Sequence, residues 1–289
     1  MTILFLGTGE IGVPTLRWLI ERSGHHVIGV VCQPDKPVGR RQHLTAPAPK
    51  SVALEAGIPV FQPDRLNDRA ALEALLALHP DLILVIAHGQ FVPKRLREAA
   101  ALGCLNLHAS LLPRWRGASP IQSAIAAGDT HTGVTVMHVD REMDAGDTIL
   151  AETTPIDPEE TGQSLHDRLA SLAPRALARA LPLVESGTAP RFPQDPAKVT
   201  HCLKLSRDHA RLDWSRPAVE LECLIRAYHP WPGTHTCLPA EFGTKMLKIF
   251  PPTRVTPWPP PDSTPPTPLP SPGTLVAVNR ESLAVATAD

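Results

Sequence analysis

The apolar positions of this chain fall into two regimes. Through the first half, short runs that are apolar throughout alternate with stretches whose apolar residues return every three or four positions. Ile3 to Leu6 and His26 to Cys32 read as buried strands, and Val13 to Ser23 between them puts Leu16, Leu19 and Ile20 on one helical face. Pro47 to Gly57 reads as a helix, Val60 with Phe61 as a short strand, and Asn67 to Leu78 as a helix with Asn67 as its N-cap. Leu82 to Ala87 is apolar at every position, and Cys104 to Leu107 and Val134 to Val139 continue the series. Strands buried on both faces and separated by helices predict an α/β fold built on a mainly parallel sheet. The amphipathic stretch Leu165 to Glu185 reads as the last helix of this part.

From Gly187 to Pro196 the period is lost and proline and glycine enter, the signature of a linker. Beyond it the pattern changes. Met246 to Phe250, Thr274 to Val278 and Leu283 to Ala286 are short strand-like runs between turns and predict a small β-rich domain. The expected division is a catalytic domain over 1–188, a linker over 189–205 and a second domain over 206–289. Residues 251–272 are half proline, which excludes a helix or a central strand and predicts a solvated, partly polyproline II loop inserted in that domain. Docking of a proline-binding module is the alternative use of such a segment.

Composition narrows the function. A chain of 289 residues that is 43% apolar can build a sizeable core. The formal net charge of −1 excludes a polycation, so any nucleic-acid contact must come from local basic clusters. Cys32, Cys104, Cys202, Cys223 and Cys237 are odd in number and widely spaced, which argues against a disulfide framework or a structural zinc site and fits a reducing compartment. Neither a basic leader followed by an apolar core nor an apolar run long enough for a membrane helix is present, so no membrane association is expected. Arginine outnumbers lysine and alanine is abundant, which fits a bacterial, cytoplasmic protein.

Four clusters carry candidate chemistry. Gly7 to Gly12 matches GxGxxG after the first strand, with Asp35 beyond the second, as in dinucleotide-binding folds; the same glycines also serve as a tight turn in any doubly wound sheet. Asn106 and His108 stand two apart at the end of a predicted strand and therefore share a face, offering an oxyanion donor and a proton carrier to one pocket. Asp140, Asp144 and Asp147 crowd the next loop. One of them could orient His108, and a solvated acidic loop is the plainer alternative. No histidine at ligand spacing and no HExxH accompanies them, so no metal is expected. Finally, Lys36, Arg40, Arg41, His43 and Lys50 form a basic stretch, and Arg114 and Arg116 flank Trp115, a mix suited to phosphates and a stacked base or simply to solvent.

Asn106 to Pro113 (NLHASLLP), followed by Arg116-Gly117, Pro120 to Gln122, Gly128-Asp129, Thr132 to Thr135 and Asp144 to Asp147, resembles the folate-dependent formyltransferases. Gln33 to Arg40 (QPDKPVGR), Phe61 to Pro63, Leu112 to Gly117 and Ile225 to Pro232 (IRAYHPWP) are similar to the branch whose acceptor is methionyl-tRNA. The resemblance implies a Rossmann-like amino-terminal domain and a carboxy-terminal β-barrel of OB type. It also implies transfer of the formyl group of 10-formyltetrahydrofolate to the α-amine of initiator methionyl-tRNA by a monomer without metal. It assigns catalysis to Asn106, His108 and Asp144, with His108 as proton shuttle, Asn106 on the oxyanion and Asp144 orienting the imidazole. It assigns the folate site to Ile86, Ala87, His88, Gly89, Ser110, Leu111, Leu112, Pro113, Asp140 and Met143, and tRNA contacts to Lys36, Arg40, Arg41, His43, Arg114, Arg116 and Lys204.

The chain departs from that pattern at Gly9-Glu10, where proline and aspartate are usual, at His88 in place of tyrosine, and at Glu142 in place of glycine. It reaches Asp289 one or two strands short of the family's usual extent, so an incomplete barrel is expected. Three rivals stand beside this reading: a formyltransferase for a small amine such as a ribotide or amino sugar, an NAD-linked oxidoreductase using Gly7 to Gly12, and a non-catalytic tRNA-binding protein. The first leaves the basic stretch unexplained and the second the run from Asn106 to Gln122. Against the third stand intact Asn106, His108 and Asp144.

Overall fold

A computed structural model of the protein describes residues 1–39, 41–238, 245–257, 268–278 and 282–288. The chain enters β1 (Thr2–Gly7), makes a 3-10 turn at Glu10–Gly12 and runs into α1 (Val13–Glu21). β2 (His26–Val31) follows, then a separate antiparallel hairpin of β3 (Lys36–Val38) and β4 (His43–Thr45), then α2 (Ala48–Glu55). β5 (Val60–Phe61), α3 (Arg69–Leu76), β6 (Leu82–Ile86), α4 (Lys94–Arg97) and β7 (Cys104–His108) continue the alternation. After β8 (Arg116–Gly117) and α5 (Pro120–Ala126) come β9 (His131–His138), β10 (Thr148–Pro155) and the long α6 (Gly162–Glu185). β11 (His201–Cys202), α7 (Ala218–Ala227), β12 (Thr234–Cys237), β13 (Met246–Ile249), β14 (Leu275–Val278) and β15 (Leu283–Val285) complete the described elements.

Seven strands form one sheet in the order β10-β9-β7-β6-β1-β2-β5. β5, β2, β1, β6 and β7 are parallel neighbours, and β9 runs antiparallel to β7. Alternation along each strand sends Leu4, Leu6, Ile83 and Val85 to one face, where they pack with Leu72 and Leu75 of α3 and Leu96 of α4. Phe5 and Ile86 point the other way, towards Gly12 at the start of α1. On α6, Leu165, Leu169, Ala173, Ala176, Leu177, Ala180, Leu181 and Val184 are buried at helical spacing, and Arg179 and Arg175 pair with the buried Glu152 of β10. The mainly parallel sheet expected from the apolar runs is therefore present, Rossmann-like as the resemblance implies, with β9 running antiparallel to β7.

The chain divides into two compact units. The first comprises Met1–Pro120, Thr132–Thr154 and His166–Cys202; the second comprises Ile121–His131, Pro155–Leu165 and Leu203–Asp289. Residues 189–202, read as linker, belong to the first unit. Phe192 exchanges backbone hydrogen bonds with Thr148, and β11 pairs in parallel with β8.

In the second unit, Leu221, Leu224 and Ile225 of α7 pack with Leu212, Trp214 and Ile249. Arg226 is 9% exposed: its Nε donates to Glu222 Oε1 at 2.5 Å and its Nη1 to the Glu160 carbonyl at 2.9 Å. Part of the IRAYHPWP motif is thus a buried tie between α7 and the segment 155–165. β12 pairs antiparallel with β13 and β14 with β15.

Several details differ from the pattern-based expectation. Asp68, not Asn67, stands at the N-cap of α3. The basic stretch after β2 is a hairpin, β10 is a full strand although only Ile149 and Glu152 of its side chains are buried, and the β-rich second domain also contains the helix α7, for which no element was read from the pattern. β10 breaks the period of two because its buried positions, Ile149 and Glu152, are three apart and one is charged. α7 is buried at five consecutive positions from Cys223 to Ala227, so no single apolar face stands out. Residues 251–257 and 268–272 of the proline-rich segment hold neither helix nor strand; residues 258–267 lie outside the described ones.

Candidate active site

β7 is flanked by β6 and β9, with Asn106 paired to Val85 and Met137, and His108 to Thr135. Two residues apart, Asn106 and His108 project from the same face. The loop from Asp140 to Asp147 then closes over them. Asn106 Nδ2 donates to Asp144 Oδ1 at 3.2 Å, and His108 Nδ1 lies 3.7 Å from Asp144 Oδ2. The three residues named from the sequence therefore converge, with His108 6% and Asp144 13% exposed at the side chain.

The imidazole is held from its other side. Nε2 of His108 lies 2.9 Å from the carbonyl oxygen of Trp115. A carbonyl only accepts, so this contact assigns the hydrogen of neutral His108 to Nε2 and leaves the lone pair on Nδ1. Nδ1 faces the carboxylate beyond hydrogen-bond range but within reach of its charge. Trp115 adopts φ +63°, rare for so bulky a residue; its N–H donates to Thr200 Oγ1 at 2.8 Å, and the Arg114 guanidinium stacks over its indole.

Asp144 is also fixed. Its Oδ2 accepts the Gly117 N–H at 2.9 Å and its backbone sits at φ +52°. Two glycines make these approaches possible. A Cβ on Gly117, which has φ +120°, would lie 2.3 Å from the Cys202 carbonyl oxygen, and one on Gly146 would lie 1.9 Å from that of His138. Gln194 donates from Nε2 to the carbonyls of Asp144 and Gly146, both at 2.8 Å, and accepts from Arg116 Nε at 2.9 Å.

The other expected residues fall into distinct places. Ile86 ends β6, Ala87 and Gly89 take positive φ after it, and His88 between them is buried. Burial pushes the His88 imidazole down to about 4. Ser110 Oγ donates to the Arg114 carbonyl at 2.6 Å, and Leu112 N–H donates to Thr135 Oγ1, which shapes the loop through Leu111 and Pro113. Asp140 takes a bond from Arg97 on its carbonyl, and Met143 is 69% exposed. Together with Lys94, Arg97, Arg141, Glu142 and Ala145, Asp140 lines a cleft of about 500 Å³.

Lys36, Arg41 and His43 are exposed on the β3–β4 hairpin and its turn, whereas Arg40 lies outside the described residues. Arg114 and Arg116 sit around Trp115, with the Arg116 Nε engaged by Gln194. Lys204 follows β11 in the second unit.

The turn at Gly7 to Gly12 is used internally. Thr8 and Gly9 both donate their N–H groups to the Ala87 carbonyl at 3.3 Å, which removes the amides a pyrophosphate would need. Asp35 accepts from Lys50 Nζ at 2.8 Å and Gln62 Nε2 at 2.7 Å, and these hydrogen bonds hold its carboxyl below the usual range. Its role is at the base of the hairpin, and the dinucleotide reading loses both of its supports. Among the described residues no cluster of three metal-ligating side chains occurs, and no helix is long and apolar enough to cross a membrane.

Trp115, Gly117, Gln194 and Thr200 were not singled out for these roles from the sequence. Trp115 and Gly117 act through backbone atoms, which carry no residue signature, and Gln194 and Thr200 come from the stretch without periodicity.

The end of β7 and the loop from Asp140 to Asp147 thus bring an amide, an imidazole and a carboxylate together, the set that the resemblance to the formyltransferases singled out. Residues 1–181 match the Formyl transferase family and residues 204–289 its C-terminal domain; the chain belongs to this family and is an enzyme. It is 49% identical over 252 residues to a methionyl-tRNA formyltransferase of Akkermansia muciniphila, covering 87% of this chain and 80% of that one. It is 50% identical over 238 residues to the methionyl-tRNA formyltransferase of Ectopseudomonas mendocina, covering 82% and 76%. In fold it is similar to a 4-N formyltransferase from Francisella tularensis, with a TM-score of 0.68 and 14% identity over 88% of this chain and 98% of that one. HypX from Aquifex aeolicus in complex with tetrahydrofolic acid gives a TM-score of 0.63 at 20% identity; the match covers 99% of this chain but only 42% of the longer HypX.

Proposed function

We propose that this enzyme transfers the formyl group of 10-formyltetrahydrofolate to the α-amine of initiator methionyl-tRNA. The observation that carries the reading is the convergence of Asn106, His108 and Asp144 in a chain about half identical to methionyl-tRNA formyltransferases.

The free amine attacks the formyl carbon, and the carbonyl π electrons move to oxygen. Asn106 has two amide hydrogens; one goes to Asp144 and the other is available to the developing oxyanion. His108 Nδ1 takes the proton from the nitrogen that has become positive, while Nε2 keeps its bond to Trp115. The imidazolium so formed is stabilised by the Asp144 carboxylate 3.7 Å away. The same Nδ1 hydrogen then passes to the departing folate nitrogen as the carbon–nitrogen bond breaks and the oxyanion collapses. Atoms and charge balance with no metal and no covalent enzyme intermediate, and positioning plus one proton shuttle supplies the catalysis.

The folate donor would lie along Ile86 to Gly89, Ser110 to Pro113, Asp140 and Met143. The positive-φ backbone at Ala87 and Gly89 and the exposed apolar Met143 suit a flat heterocycle beside a peptide-like tail. Lys36, Arg41 and His43 on the hairpin, with Arg40, would take acceptor-end phosphates together with Arg114, Arg116 and Lys204. Residues 206–289 would serve as an OB-type tRNA-holding domain, and the protein would act as a cytoplasmic monomer. The likeness to sugar formyltransferases, at 15–17% identity, extends to the fold alone.

The test is formyl transfer from 10-formyltetrahydrofolate to initiator methionyl-tRNA, with elongator methionyl-tRNA, uncharged tRNA and a nucleotide-linked amino sugar as controls. Selective formylation of the initiator supports the reading. Transfer to the amino sugar alone, or to no acceptor, rejects it.

A further inference from the structure

We infer that Gln194 is a positioning residue of formyl transfer, acting through Asp144; the inference rests on the catalytic role proposed for that carboxylate. Gln194 belongs to a stretch with no periodic pattern, yet it is pinned on both sides. Phe192 pairs with Thr148 through two backbone hydrogen bonds, and the Asp195 carboxylate accepts from Ala197 N–H to open the next turn. Thr200 then accepts Trp115 N–H on its hydroxyl and Arg116 N–H on its carbonyl. The stretch is thereby joined to both loops of the site: the one that carries Asp144 and the one that holds His108.

The side chain of Gln194 closes this arrangement. Nε2 spends its two hydrogens on the carbonyls of Asp144 and Gly146, and Oε1 accepts from Arg116 Nε. The residue after Arg116 is Gly117, whose N–H holds the Asp144 carboxylate. One amide therefore links the backbone of the catalytic aspartate to the strand that grips its side chain. Asp144 has φ +52°, a conformation its own preferences do not enforce, so its carbonyl needs an external partner to stay turned.

The chemistry also explains the residue type. Two carbonyls require two N–H donors, and a guanidinium requires an acceptor on the same group; a primary amide supplies both. Glutamate would keep the bond to Arg116 but set a carboxylate against two carbonyl oxygens. Asparagine is one methylene short.

The experiment is steady-state formyl transfer by the full-length enzyme carrying Gln194→Ala, Gln194→Glu, Asp144→Ala, and each Gln194 change combined with Asp144→Ala. Gln194→Glu keeps the side-chain volume and guards against a folding defect in the alanine variant. The expected result is a fall in kcat of about 10- to 100-fold for both single Gln194 variants, with KM for donor and tRNA changed by less than about twofold. In the Asp144→Ala background the same changes should alter kcat by less than about twofold, because their route of action is gone. Retained kcat in the single Gln194 variants, a loss confined to KM, or a full additional loss on top of Asp144→Ala overturns the inference alone. Normal turnover of Asp144→Ala itself overturns the mechanism and the inference with it.

Discussion

Nε2 of His108 lies 2.9 Å from the carbonyl oxygen of Trp115, and the Trp115 backbone sits at φ +63°. This contact, rather than the carboxylate, sets the plane of the imidazole and keeps the proton on Nε2. Asp144 is left to act on Nδ1 through charge, across 3.7 Å. A bulky residue in the left-handed region costs on the order of 1–2 kcal/mol. Thr200 and the Arg114 guanidinium hold it there, so the cost is met by the fold around the site.

Replacing His108 with alanine should lower kcat by about 10²- to 10⁴-fold, the usual range for a positioned proton carrier. Folate binding, followed by calorimetry, should stay near the wild-type level. Lost binding with unaltered single-turnover rate would contradict the assignment of Nδ1 as the shuttle.

Asp144→Asn preserves size but removes the charge facing Nδ1. It also leaves one of the two donors, Asn106 Nδ2 or the Gly117 N–H, opposite an NH₂ group. We expect kcat to fall by roughly 100-fold. Substrate KM values near wild type would locate the loss in the chemical step.

Lys36 and Arg41 are exposed cations of the hairpin, and the proposed function sets acceptor-end phosphates against them. Arg41→Ala should raise KM for tRNA several-fold and lower the salt dependence of binding by about one counterion, leaving kcat at saturating tRNA unchanged. Titrations at several salt concentrations read both quantities, and an unaltered salt slope would exclude a phosphate contact at Arg41.

His88 is 2% exposed and its folded pKa is about 4, against an ordinary value of 6.5, because burial disfavours the imidazolium. The unfolded chain therefore binds a proton that the folded chain does not, and stability rises with pH through this window. The contribution is complete above about pH 6.5 and is lost progressively as pH falls towards 4, by up to roughly 3 kcal/mol. Thermal melts of His88→Tyr and wild type from pH 7.5 to 4.5 should converge in their slopes only above pH 6.5, with the variant losing less on acidification. Parallel curves across the whole range would show that His88 is not the titrating group.

Arg226 supplies a second prediction of stability. Arg226→Ala would remove the guanidinium from the Glu222 carboxylate and the Glu160 carbonyl together, and should cost about 3 kcal/mol in unfolding of the second unit. Arg226→Lys should recover only part of it, since one ammonium cannot match both directions of the guanidinium.

Much of this protein was already determined along the chain. Burial on both faces makes Leu4 to Leu6 and Leu82 to Ile86 apolar at every position, so the parallel strands and their alternation with α1 and α3 were legible. Asn106 and His108 were legible as a pair because strand geometry turns residues two apart to one face, whatever the rest of the fold does. The carboxylate of Asp144 could be named, but its meeting with them depends on Gly146 letting the β9–β10 connection lie against the carbonyl of His138.

Tertiary structure alone decided the rest. The tautomer of His108 rests on a carbonyl, and the hold on Asp144 rests on an N–H, groups that every residue possesses. Gln194 and Thr200 come from a stretch without period, because a segment that zips onto two loops by backbone bonds has no apolar face to display. The GxGxxG turn is the converse case: the string is present, but its amides and Asp35 have partners within the fold. Local sequence determines which surfaces must be buried. Which polar atoms remain available for chemistry is known only when all of their partners have been found.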